Sequence, residues 1–199
     1  KAKTTVDIIR KFPYEEDFSS MTFPSAWRHE FIFNNVPWKV DMLFETGEYS
    51  LMYEASFDAR RSTRAILPVI DFSSQNSAIL SFDYRNFLQD FDVCYRVSPK
   101  DEWHTLCTLK SQDKGLGSDI INKVTNAEKH IDIILPNLSS TYEVAFFIDY
   151  VGASSIISSA EIITIDNIKV SSDFDVFVST QYPSVVTSTM SKIPVIALG

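Results

Sequence analysis

The chain has 199 residues, 45% of them hydrophobic and 13% aromatic, which suits one ordinary domain with a substantial core and excludes global disorder. Acidic residues outnumber basic ones by 26 to 18, for a net charge of −8, and the only dense basic cluster is Arg60, Arg61 and Arg64, so a nucleic-acid partner is not expected. No apolar run approaches the roughly 18 residues that a membrane-spanning helix needs.

The predicted elements are strands. "GEYSLMYEA" (Gly47–Ala55) alternates, and "RAILPVIDFS" (Arg64–Ser73) is a β-rich run whose proline suits an edge or a bulge. "SAILSFDYRNF" (Ser77–Phe87), "DFDVCYRVS" (Asp90–Ser98) and "EWHTLCTLK" (Glu102–Lys110) follow, then "HIDIILP" (His130–Pro136), "YEVAFFIDYV" (Tyr142–Val151) and "AEIITIDNIKV" (Ala160–Val170). Turn chemistry separates them in "SSQN", "SPKD", "PNLSS" and "VGASS". Residues 111–129 read as a short helix or a long loop. About nine short strands with almost no helix predict an all-β fold, a jelly-roll β-sandwich of two antiparallel sheets. A boundary is expected at "VSSDFD", giving one domain over residues 1–171; residues 172–199 are either its edge strands or the start of a second module.

Two details of this reading bear on chemistry. In the last strand, Ile163 and Ile165 share one parity, whereas Ile168 and Val170 share the parity of Asp166. Asp166 and Asn167 therefore mark either a β-bulge or a ligand-bearing interruption. Symmetric pairing about the "PKDE" turn sets Cys94 opposite Cys107, which leaves both a disulfide and two reduced, half-buried thiols open.

The order of the segments resembles a known group. "FPYEEDFSS" followed by "FPSAW", a second tryptophan at Trp38, then "GEYSLMYEA", "AILPVIDFSS", "AILSFDYRN", "LPNLSSTYEVAFFIDYVG" and the closing "ITIDNIKV" are similar to the MAM-like and cleaved-adhesin-like (choice-of-anchor type) jelly rolls of secreted Bacteroidetes proteins. The likeness spans residues 12–170 and departs at Leu67, where Ser or Thr is usual. The tail resembles the opening of an immunoglobulin-like module. The resemblance implies a secreted or cell-surface protein with its leader removed, and a binding or adhesive role toward a cell-surface protein or glycan.

It also implies that the first and last strands lie together. That arrangement would bring Glu15, Glu16 or Asp17 near Asp166 and Asn167, and similar domains carry one structural calcium ion there. Calcium takes six to eight oxygens, which carboxylates, amides and carbonyls supply. The expected ligands are Asp166 first, then Glu16, with Asn167 and Glu15.

Catalysis is not expected. His29, His104 and His130 lie in no nucleophile elbow and in no zinc spacing, and simple alternation sends His104 and Cys107 to opposite faces of their strand. Carboxylates are plentiful (Asp83, Asp90, Asp92 and Asp149 among them), but no spacing singles out an acid–base pair. For ligand binding, Trp103 is the expected exposed aromatic, able to stack on a sugar ring, while Trp27 and Trp38 read as packing residues. The predicted function is a noncatalytic secreted or surface binding module; the alternatives are a carbohydrate-binding accessory module of a larger enzyme and a structural spacer.

Overall fold

Parity decides which side chains go inward. In the last described strand, Ile163, Ile165, Ile168 and Val170 are all buried in one core, so the apolar face is kept on both sides of the Asp166–Asn167 step. A bulge makes this possible, and it is described below.

The computed structural model describes residues 9–43, 46–55, 60–86, 89–111, 128–150 and 161–172. The described residues form thirteen strands and no helix. They are β1 (Ile9–Lys11), β2 (Tyr14–Glu16), β3 (Arg28–Phe33), β4 (Lys39–Met42), β5 (Tyr49–Ala55), β6 (Arg61–Ile66), β7 (Val69–Asp71), β8 (Ile79–Asn86), β9 (Phe91–Arg96), β10 (His104–Leu109), β11 (Lys129–Ile134), β12 (Glu143–Tyr150) and β13 (Glu161–Ser171).

They build two antiparallel sheets, as expected for a jelly-roll sandwich. One sheet runs β10-β9-β12-β6-β3, and the other β11-β8-β13-β5-β4 with β2 also paired to β13. A small parallel pair, β1 with β7, lies apart. The run read as one strand from Arg64 to Ser73 is two. It starts earlier, at Arg61, and breaks at Leu67–Pro68, because proline has no N–H to give to the ladder. Of the helix-or-loop stretch over 111–129, Lys129 opens β11 and residues 112–127 lie outside the described residues, as does all but the first residue of the expected second module at 172–199.

The core is aromatic. Phe146, fully buried on β12, meets Phe82 at 5.2 Å between ring centroids, Trp38 and Phe91 at 6.4 Å and Trp27 at 6.5 Å. Trp27 and Trp38 are therefore packing residues, as their places in the sequence suggested. Trp27 also donates its indole N–H to the Tyr14 hydroxyl at 2.7 Å, which fixes the opening segment to the core.

Candidate functional site

On β12, Val144, Phe146 and Ile148 point inward, so Glu143, Ala145, Phe147 and Asp149 face outward from the five-stranded sheet. The registers lay out rows across this outer face. Glu143 lies beside Arg96 of β9; Ala145 lies between Cys94 of β9 and Ile66 of β6, with Arg28 of β3 beyond; Phe147 lies between Asp92 and Arg64, with Glu30 beyond. The short side chains of the middle row form a trough. Cys94, Ala145 and Ile66 are buried although they face outward, because longer side chains lie over them.

Those longer side chains form a stack. Trp103, immediately before β10, is half-buried, with the Arg96 guanidinium carbon 4.4 Å and that of Arg64 5.5 Å from its ring centroid. Arg64 also lies 4.3 Å from the Phe147 ring and donates to Glu30 at 2.7 Å. Beneath them, Glu143 has no exposed surface and accepts from Arg28 Nη2 at one oxygen and from Arg96 Nε at the other, each at 2.5 Å. The Trp103 indole N–H and Arg64 Nε are buried with no hydrogen-bond partner among the described residues.

Of this cluster, the sequence singled out only Trp103. Arg64 opens a run read as a strand and stands within β6, but its part in a site, like that of Arg28, Arg96 and Glu143, is not anticipated from the sequence. The one signal for Glu143 was its outward parity in a strand otherwise built for a core.

The second candidate region is the strand junction. β13 pairs with β5 through Glu161–Ile165 and with β2 through Ile168–Val170, while β8 lies along its other edge throughout. The register against β8 shifts between Asp166 and Lys169, and Asn167 has φ of 50°. The Asp-Asn step is therefore a β-bulge, placed where the strand exchanges one neighbour for another. Asparagine tolerates the left-handed backbone better than most residues. Asp166 Oδ1 accepts the Asn167 backbone N–H at 2.7 Å, and Asn167 Nδ2 donates to Asp83 at 2.8 Å. Asp83 also holds His130 Nδ1 at 2.7 Å, with Asp132 3.3 Å from the other ring nitrogen. Burial lowers the His130 pKa, but the hydrogen bonds and charges of Asp83 and Asp132 outweigh it, and the net direction is upward.

The acidic entry strand β2 does meet the last described strand, β13, whereas the first strand, β1, pairs with β7. Glu15, Glu16 and Asn167 line one cleft of about 530 Å³ with Asp17 and Asp83. Asp166 is not among its lining residues. Burial pushes the Asp166 carboxyl up to about 6, and the charges of Glu128, Glu48 and Asp83 reinforce this against the Asn167 hydrogen bond. Glu16 spends one oxygen on the Phe18 N–H at 3.0 Å. Among the described residues, no group of three or more His, Cys, Asp or Glu side chains stands ready to hold a metal ion. A calcium ion here would have to take most of its oxygens from the backbone, Asn167 and water.

The cysteine register differs from symmetric pairing. An extra residue, Leu106, sits in a bulge of β10, so Thr105 faces Cys94 and Cys107 faces Val93. Cys94 Sγ lies 4.0 Å from Thr105 Oγ1, and both cysteines are free. The same bulge breaks the alternation that would have put His104 and Cys107 on opposite faces, since their partners Tyr95 and Val93 share one parity. Burial pushes the Cys94 thiol up to about 11, which makes it a poor nucleophile.

No family model and no curated protein sequence matches the chain. Its fold is similar to solved structures. The K1 cleaved adhesin domain of Lys-gingipain from Porphyromonas gingivalis W83 superposes with a TM-score of 0.59 at 15% identity, covering 81% of this chain and 99% of that one. The K3 cleaved adhesin domain of the same protein gives 0.53 at 13% identity, covering 79% and 96%. TmCBM61, solved in complex with beta-1,4-galactotriose, gives 0.51 at 11% identity, covering 79% and 94%. At these identities the likeness is one of fold. It embraces cleaved-adhesin and carbohydrate-binding sandwiches alike and does not single out the MAM-like branch of the resemblance.

Proposed function

We propose that this protein is a noncatalytic extracellular or surface-attached binding module that takes a glycan on the outer face of the five-stranded sheet, beside Trp103. The observation that carries the reading is the Trp103 stack itself: an aromatic ring, guanidinium donors and a half-exposed carboxylate at Glu30 together on one strand-built face. A sugar asks for this combination, since its ring faces are apolar and its hydroxyls both donate and accept. The fold's likeness to a module solved with a galactose trisaccharide supports it. A glycan array and titration calorimetry test it. The unsubstituted protein is expected to bind at least one glycan, and Trp103→Ala to bind it about three- to tenfold more weakly with an unchanged fold by circular dichroism. No glycan bound, or a hit that Trp103→Ala leaves untouched, would dismiss this site.

Adhesion to a protein is a second reading, favoured by Phe31, Ile32 and Phe33, three consecutive exposed apolar side chains ending the edge strand β3.

A calcium ion in the cleft lined by Glu15, Glu16 and Asn167, with Asp166 placing Asn167 through the backbone N–H it accepts, is a separate proposal, supported by the meeting of β2 and β13. Binding to the folded state alone should raise the melting temperature in calcium over chelator, and Asp166→Ala should abolish the difference. Coincident melting curves for the unsubstituted protein would rule the ion out.

A further inference from the structure

The glycan reading says nothing about charge, and the arginines around Trp103 do. On a chain of net charge −8, Arg28, Arg64 and Arg96 gather on one face with four carboxylates, Glu30, Glu143, Asp92 and Asp149, of which Glu30 and Glu143 pair with these arginines. Nearby Asp92 is held by the Thr108 hydroxyl at 2.6 Å, and Asp149 by Arg60 at 3.5 Å. Glu143 is wholly buried with both oxygens occupied, so no ligand can reach it. It acts as an internal counter-ion that aims two guanidinium groups. Buried ion triads of this kind contribute little net stability compared with apolar side chains of the same volume, so stability alone does not account for one on an outward face. Each guanidinium carries five N–H donors, and the described hydrogen bonds use one from each of the three.

Resting on the glycan reading above, we infer that the ligand is an acidic glycan, whose carboxylate or sulfate group is received by the guanidinium edges of Arg28 and Arg96 while a sugar ring lies beside Trp103. Two oxygens of a carboxylate or of a sulfate group fit the two-pronged edge of a guanidinium, and a charge-assisted pair is stronger than one to a hydroxyl.

The experiment compares oligogalacturonate, its methyl ester and chondroitin sulfate on the full chain by titration calorimetry, alongside an array holding neutral, uronic-acid-bearing and sulfated oligosaccharides. At least one acidic probe is expected to bind about tenfold or more tightly than neutral counterparts, with affinity falling as salt rises. Arg28→Lys keeps a cation for Glu143 but loses the planar fork; it should weaken the acidic probe and leave the melting temperature near that of the unsubstituted protein. Desulfated chondroitin separates the two anions, since chondroitin sulfate carries uronic carboxylates as well as sulfate esters: binding lost on desulfation assigns the sulfate, binding kept assigns the carboxylate. Neutral glycans bound as tightly as acidic ones, without salt dependence, would overturn the acidic assignment while the glycan reading stands. No binding to any glycan would overturn both.

Discussion

Replacing Glu143 by alanine is expected to cost about 3–5 kcal/mol of folding stability, the range for removing one partner of a buried ion pair. The side chain has no exposed surface, and its two oxygens hold Arg28 and Arg96 at 2.5 Å. The two arginines are not equally at risk. Arg28 keeps 30% of its side-chain surface exposed and can turn toward water, whereas Arg96 keeps 12% and sits beneath Trp103. Most of the loss therefore arises from a desolvated Arg96 charge left without a counter-ion. Replacing all three residues together by apolar side chains of similar volume should cost far less than Glu143→Ala alone. Urea unfolding of the two variants measures both quantities. A loss below about 1 kcal/mol for Glu143→Ala would show that the pair is solvated and that the triad does not hold the face together.

Phe146→Ala carries the other large effect, also about 3–5 kcal/mol, as a fully buried phenylalanine is cut back to a methyl group. From the second half of the chain, its ring meets side chains of the first: Trp27 and Trp38 from the opening third, Phe82 and Phe91 from the middle. The void cannot close easily, because the surrounding rings are rigid and already packed, Phe82 and Phe91 edge to face, Trp38 tilted and Trp27 stacked. Phe147 is the matched control. It is the next residue, on the opposite face, where it is half-buried against Arg64. Phe147→Ala should cost about 1 kcal/mol. Equal losses for the two variants in denaturant unfolding would contradict the inward and outward assignment on which the whole outer face depends.

Local order was readable and long-range pairing was not. The changed parity between Ile165 and Ile168 could be seen in the sequence, and the bulge at Asp166–Asn167 is its physical form. The bulge at Leu106 left no such trace, since no glycine or asparagine marks it, and symmetric pairing of Cys94 with Cys107 failed for that reason. Strands β3 and β4 went unseen because "RHEFIF" and "KVDM" lack a clean alternation of buried and exposed positions. Glu143 is the plainest case. A glutamate at the outward parity of a strand reads as solvent-facing. What buries it is an arginine 115 residues away and another 47 residues away, brought over it by strand order. Trp103 could be chosen as an aromatic after a turn, but its arginine neighbours could not, for the same reason.

The position of β13 has a consequence for how the molecule comes into being. It is the last of the described strands in sequence, yet it lies between β8 on one side and β5 with β2 on the other. During synthesis from the N-terminus, those neighbours emerge first, with open hydrogen-bonding edges and half of their partners missing. Residues 161–171 must then enter between elements already made, closing contacts with strands more than a hundred residues earlier in the chain. Such a topology closes late, because its central non-local pairings wait for residues 161–171 to emerge. The nascent chain is thus most vulnerable to proteolysis and to mispairing just before the Asp-Asn bulge is delivered.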